Sequence, residues 1–322
     1  MVKPDQQLRV YESIVDLIAS PENPTPMVKI SEKINPNKDF LIYLKLERYN
    51  PFGSVKDRIA LSMLKGLEIK EGQSLVEPSS GNTGIALAAV ANAKGLPIEI
   101  AVPERIPEEK KTILRLLGVN ALWQADDKLC PLYPNEGARG LVNAILKSKG
   151  GEKYVNPNQY ENKLNVQAHY ETTGPEIWKQ TKEKIDYFFA GFGTCGTITG
   201  VGRYLKERKP SVKIIGIEPA KADHNLPGMK RISDLQEDLV PKILDKSVID
   251  DTIAVDDQDA YQTAIQLARE DGILVGPTTG AILYVSFQYA KKCKGLAVAI
   301  SPDDAFKYMS FYEPYVKEQG RP

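Results

Sequence analysis

Histidine is nearly absent from this chain: there are two, His169 and His224, in 322 residues. That scarcity argues against a histidine-based catalytic triad and against a histidine-rich metal centre, so no metal site is expected. Cysteine is almost as rare. Cys130, Cys195 and Cys293 are scattered, odd in number and without CxxC spacing, which reads as free thiols in a reducing, cytoplasmic setting. An excess of charge of one sign is missing too. Lys and Arg total 42, Asp and Glu total 42, and the formal net charge is zero. No electrostatic footprint for nucleic acid or an anionic membrane follows. No apolar run reaches the roughly 18–20 residues a membrane span needs, and residues 1–10 are polar, without the apolar core of a secretion signal.

What is present is alternation. Strand-like runs at 41–46, 74–77, 98–102, 119–123, 185–190, 212–218, 273–275 and 296–300 are interleaved with helical spacing at 57–69, 83–93, 108–117, 197–207, 259–270 and 279–291. Regular strand–helix alternation predicts an α/β fold with mostly parallel sheets. Strand, glycine loop, helix occurs around Gly81 and again around Gly193, as two similar sheet domains would require. Residues 126–139 and 221–251 break the rhythm with prolines and mixed charge; loops of that length are commonly lids or binding segments.

Three short stretches carry chemistry. Lys56 follows Asn50-Pro51-Phe52-Gly53-Ser54-Val55, where Pro51 and Gly53 set a turn and the chain then leads inward. A buried lysine loses its charge readily and becomes a nucleophile able to form a Schiff base with an aldehyde cofactor. Ser79-Ser80-Gly81-Asn82-Thr83-Gly84 offers hydroxyls and amides for a carboxylate. Gly193-Thr194-Cys195-Gly196-Thr197 opens a helix, the place where backbone N–H groups and the helix dipole favour a phosphate. Residues 191–196 also match GxGxxG between a strand and a helix, with Glu218 ending the next strand, so an NAD-dependent oxidoreductase is the rival reading. Against it stand the late position, the threonines flanking Cys195 and the lack of a histidine for hydride chemistry.

With Asn23-Pro24-Thr25-Pro26, Thr172-Thr173-Gly174-Pro175-Glu176-Ile177 and Gly276-Pro277-Thr278-Thr279-Gly280-Ala281 added, the chain resembles the cysteine synthase and cystathionine β-synthase family of pyridoxal-phosphate enzymes, from about residue 20 to about 310. The resemblance implies fold type II, the tryptophan synthase β-subunit-like architecture: two three-layer α/β domains with mostly parallel sheets. A smaller mobile domain, 52–157, would carry the Ser79 loop. A larger cofactor domain would combine 1–51 with 158–322. Lys56 matches the residue that anchors the cofactor and moves the proton. Asn82 matches the partner of the cofactor's phenolic oxygen. Ser79, Ser80, Gly81 and Thr83 match the substrate-carboxylate loop. Gly193, Thr194, Cys195, Gly196 and Thr197 form the phosphate cup, and Thr278 faces the pyridine nitrogen. The implied reaction is β-replacement on an activated serine with sulfide to give L-cysteine, in a homodimer.

The chain also departs from the family. A glutamine before an aromatic, usual near Tyr154-Val155-Asn156-Pro157, reads as replaced by Lys153. Cys195 stands where glycine is usual. Lys230-Arg231 replaces a glycine-rich closing segment and, with Arg139 as a further candidate, adds positive charge where a leaving group could lie. Lys153 and Arg231 are therefore candidate substrate residues, and O-phosphoserine is favoured over O-acetylserine. Cystathionine β-synthase activity on serine and homocysteine is the alternative within the family. A non-catalytic protein of the same fold is the alternative outside enzymology.

Overall fold

The computed structural model describes residues 10–79, 81–119, 121–126, 133 and 135–318. Ten strands are present among them: β1 Met27–Lys29, β2 Phe40–Leu46, β3 Ser74–Pro78, β4 Ile98–Pro103, β5 Ala121–Ala125, β6 Tyr154–Val155, β7 Tyr187–Gly191, β8 Lys213–Pro219, β9 Asp251–Val255 and β10 Gly295–Ser301. The helices that matter here are α1 Lys56–Lys65, α2 Asn82–Ala93, α3 Glu108–Leu116, α4 Gly137–Lys147, α5 Lys163–Ala168, α6 Gly174–Gln180, α7 Gly196–Arg208, α8 Asp257–Asp271, α9 Pro277–Ala290 and α10 Met309–Glu318.

The strands form two sheets. One has six strands in the order β1-β2-β10-β7-β8-β9; the other has four, β5-β4-β3-β6. Only β1 runs antiparallel to its neighbour. Both sheets are covered on both faces, as parallel sheets require. Along β7, Phe189 joins Ile42, Ile217, Ile282 and Leu283 on one side, while Phe188 and Ala190 join Ile198, Val201 and Leu205 of α7 on the other. In the small sheet, Leu75 and Ile100 pack against α1, α2 and Leu114 of α3, and Val76 and Ala101 pack against Ala138 and Val142 of α4. Adjacent residues facing opposite layers are the period-2 signature of a strand. Each large side chain so buried contributes roughly 1.5–3 kcal/mol.

All four strands of the small sheet lie within 52–157. The large sheet is built from both ends of the sequence: β2 pairs in parallel with β10 along its whole length, Phe40 opposite Gly295 and Leu46 opposite Ser301.

Two local expectations need correction. Residues 273–275 are not a strand; the chain there is an irregular link between α8 and α9. The edge strand is β9 instead, three of whose five residues are exposed, so it lacks the apolar run that marks a buried strand. The helix expected over 57–69 ends at Lys65, because Gly66 caps it.

Candidate active site

Lys56 is the first residue of α1, and its position is fixed from both ends of the chain. Val55 N–H donates to the Pro302 carbonyl just beyond β10, at 2.8 Å. Lys307 Nζ donates to the Phe52 and Gly53 carbonyls at 2.8 Å each. Gly53 has φ +75°, a left-handed conformation that a side chain would strain. The Lys56 amine faces a cavity shared with Asn82, Gly193, Thr197, Thr278 and Asp303. Burial pushes its pKa down to about 8, against the opposing pull of the Asp303 carboxylate. A substantial neutral fraction therefore exists near neutral pH, as a nucleophilic lysine needs.

The Ser79 loop lies across the cavity. Ser79 Oγ accepts from Gly81 N–H at 3.2 Å and Gly84 N–H at 2.8 Å, which leaves its own hydrogen for an outside acceptor. Thr83 donates to Gln159 Oε1 at 2.6 Å, and Gln159 Nε2 donates to the Pro78 carbonyl. Gln159 is held there by Glu77, which accepts the backbone N–H groups of Asn158 and Gln159. Burial pushes the Glu77 carboxyl up to about 7 in spite of these bonds. Ser80 lies outside the described residues.

The second loop opens α7. Cys195 sits in the left-handed region, φ +69°, which explains why glycine suits this position and why a small side chain is tolerated only at a cost of roughly 1–2 kcal/mol. Burial pushes its thiol up to about 12, so it stays protonated. A Cβ on Gly193 would stand 2.5 Å from the Gly228 carbonyl oxygen, and one on Gly196 would stand 1.9 Å from Asn165 Oδ1. Thr194 accepts from Asn165 Nδ2 at 3.1 Å. Thr197 meets His169 Nε2 at 3.1 Å, and His169 Nδ1 meets Thr173 at 2.9 Å. His169 is fully buried, and burial lowers its pKa to about 3; the ring is neutral. In the tautomer protonated on Nε2, the Thr173 hydroxyl donates to Nδ1 and Nε2–H donates to Thr197, which leaves the Thr197 hydrogen free to point outward.

The structure thus brings together Lys56, Ser79, Asn82, Thr83, the 193–197 loop and Thr278. It does not bring in two others. Lys153 is exposed on a short 3-10 turn and lines neither cavity beside Lys56. Arg231 turns away: its guanidinium donates to the Ala220 carbonyl and pairs with Asp234 at 2.6 Å. Its neighbour Lys230 lines the cavity instead, with Lys110, Gln159 and Tyr160. Arg139 is likewise engaged elsewhere, on the Leu239 carbonyl and Glu161. The glutamine-before-aromatic pair read as missing is Gln159-Tyr160, six residues beyond Lys153. A larger cavity of about 680 Å³ opens between Phe192, Glu218 and Asp250, but none of the chemistry-bearing loop residues lines it. Glu218, the acid a dinucleotide would need, is taken up by the backbone and hydroxyl of Ser233.

Comparison with known proteins decides the family. Residues 18–303 match the model of the pyridoxal-phosphate dependent enzymes. The cysteine synthase of Aquifex aeolicus is 41% identical over 313 residues, covering 94% of this chain and 92% of the relative. The chain belongs to the cysteine synthase family of pyridoxal-phosphate enzymes. Cysteine synthase B of Salmonella typhimurium is 37% identical over 291 residues, covering 89% of this chain and 92% of that one. Among solved structures, O-ureido-L-serine synthase bound to O-ureido-L-serine superposes with a TM-score of 0.83 at 30% identity, covering 97% and 99% of the two chains. The cysteine synthase of Entamoeba histolytica gives 0.81 at 31% identity, covering 96% and 92%.

The residues present fit the family's cofactor, pyridoxal phosphate. Asn82 Oδ1 and Asp303 Oδ1 are buried without a partner, and both residues line the cavity beside Lys56. Buried polar atoms of that kind call for a ligand. Lys56 would hold the aldehyde carbon, the α7 N-terminus and Thr197 the phosphate, and Thr278 the ring nitrogen.

Proposed function

We propose that this cysteine synthase family member performs β-replacement on an activated L-serine, with sulfide as nucleophile and L-cysteine as product, and that phosphate is favoured over acetate as the leaving group. One observation supports the preference. The substrate-side wall, which includes Ser79, Thr83, Gln159 and Tyr160, contains Lys230 as well as Lys56, and no carboxylate among its described residues; Lys110 lines it too, but burial lowers its pKa to about 7, so the preference is carried by Lys230. A cavity so lined favours the more highly charged ester. Lys230 is the basic residue of the 221–251 segment that reaches it; its ammonium stands 5.2 Å from the centre of the Tyr160 ring.

When bound, pyridoxal phosphate supplies the electron sink that lets the substrate's Cα–H and Cβ–O bonds break. Ser79 and the amides of its loop hold the α-carboxylate. Gln159 keeps Thr83 in place. Lys56 takes the proton from Cα and returns it once sulfide has added. Lys230 draws the departing phosphate toward the cavity mouth. Closure of residues 52–157 over the substrate excludes water.

The test is kcat/KM for O-phosphoserine and O-acetylserine, each with sulfide, in the parent and in Lys230→Met. A charge-assisted contact implies a roughly tenfold or greater loss for the phosphate ester and little change for the acetate ester. Equal losses on both esters, or a parent that prefers acetate, would remove the preference while leaving β-replacement standing.

A further inference from the structure

A chain of buried hydrogen bonds runs from the substrate loop to the phosphate loop, and Asn165 of α5 is its middle link. Thr83 donates to Gln159 Oε1 at 2.6 Å. The Gln159 carbonyl accepts from Asn165 Nδ2 at 2.7 Å, and the same nitrogen donates to the Thr194 hydroxyl at 3.1 Å. Thr83, Gln159, Asn165 and Thr194 are each at most 5% exposed. The Gln159 carbonyl can only accept, so it fixes which way the Asn165 amide points. Oδ1 is turned against Gly196, where a Cβ would stand 1.9 Å away, and it has no partner among the described residues. One amide thus touches Gln159, which steadies Thr83, and two residues of the phosphate cup.

We propose that Asn165 is a positioning residue that couples the substrate-carboxylate subsite to the phosphate cup. A carboxylate arriving at Ser79 and Thr83 competes for the Thr83 hydrogen that Gln159 now accepts. Gln159 then repacks, and its carbonyl pulls on the Asn165 amide. That amide sets how the Thr194 hydroxyl points. Because Thr194 accepts from Nδ2, its own hydrogen is free for a phosphate oxygen. A carboxylate in one subsite therefore changes the grip on phosphate in the other, and by linkage the converse holds by the same factor. Asn165 itself lines neither cavity beside Lys56, so it acts through Gln159 and Thr194. The inference rests on reading the two loops as carboxylate and phosphate subsites, not on the choice of activated serine.

The experiment uses the holoenzyme and two ligands: L-alanine, which has a carboxylate and no leaving group, and L-alaninamide, which lacks the negative charge. Dissociation constants and saturation are read from cofactor absorbance, and the state of the cup from the phosphorus NMR resonance of the bound cofactor. In the parent, saturating L-alanine moves that resonance further than L-alaninamide does. In Asn165→Ala the two ligands move it equally. The dissociation constants for L-alanine and for pyridoxal phosphate each rise by about fivefold, the scale of one neutral hydrogen bond, while that for L-alaninamide changes little. Should Asn165→Ala not fold, Asn165→Ser, whose hydroxyl is too short to reach both oxygens, takes its place with the same expected result. Equal displacements in the parent, an alanine-specific displacement kept in the variant, or weaker binding of only one of L-alanine and pyridoxal phosphate overturns the proposal. A parent that binds L-alanine no better than L-alaninamide removes the carboxylate reading of the Ser79 loop, and the coupling with it.

Discussion

Two buried polar clusters flank Lys56, and they differ in what they leave undone. Two residues along α1, Arg58 forks between Glu47 and Glu176. Its Nε lies 2.6 Å from Glu47 and its Nη1 lies 2.5 Å from Glu176. Lys45 spends its three hydrogens on Glu176, Gln180 and the Thr25 carbonyl. Two cations meet two anions, and none of these four side chains has an unpartnered polar atom. Asp303, Tyr308 and Lys110 are as deeply buried, yet together with the half-buried Asn82 they leave two oxygens bare. A closed cluster ties α1 to β2 and α6 and has no donor or acceptor to spare. An open one marks where a ligand completes the set.

The comparison breaks if the open cluster tolerates what the closed one does not, or the reverse. The largest expected effect is at Lys56 itself. Lys56→Ala abolishes covalent attachment of pyridoxal phosphate and nearly all turnover while leaving the unfolding midpoint of the cofactor-free protein close to the parent's. Visible absorbance and a urea titration check both halves.

Next is Arg58→Met, which strands two buried carboxylates and lowers stability by roughly 3–5 kcal/mol, measured by urea unfolding. It also carries a pH signature. Glu47 is held down to about 2 from an ordinary 4.5, its burial outweighed by the Arg58 charge and hydrogen bonds. Its stabilising contribution is therefore present above pH 4.5 and lost as pH falls through 2. The shift corresponds to about 3 kcal/mol. Glu77, with its raised pKa, slopes the other way, so the parent-minus-variant difference is the quantity to plot. A flat difference between pH 5 and 2 would show that Arg58 does not hold Glu47.

The smallest effect is at His169. His169→Ala removes the ring that holds Thr197, and the dissociation constant for pyridoxal phosphate rises by about fivefold, read by cofactor fluorescence. Because the ring is neutral above about pH 3, the parent's cofactor affinity shows no step near pH 6.5 attributable to this histidine.

How much of this was legible beforehand follows from where each residue's signal lies. Lys56, Asn82 and the 193–197 loop announce themselves because glycines and a proline bracket them, and local backbone demands leave local marks. Lys110 does not. It sits in Glu108-Glu109-Lys110-Lys111, which reads as a solvated helix face, and only the fold turns Lys110 inward against Gly81 and Tyr308. Asp303-Asp304 similarly reads as a charged surface turn, although Asp303 lies behind the cofactor cavity. Arg58 and Glu176 are 118 positions apart, and no spacing rule links them. The Lys153 misreading was one of register: the glutamine-aromatic pair was present at Gln159-Tyr160, but displaced toward α5. Lys230 and Arg231 read alike in the sequence, and only their side-chain directions, with Arg231 held by Asp234 and the Ala220 carbonyl, separate the one that lines the cavity.

The pairing of β2 with β10 has a consequence for synthesis. The four-stranded sheet has all its strands once residue 155 has left the ribosome. β2 must wait, with one edge open, until residue 301 emerges, and the turn before Lys56 waits a little longer for the amine of Lys307. Nascent chains would thus carry a half-finished molecule, unable to capture the vitamin-derived cofactor, until translation is nearly over.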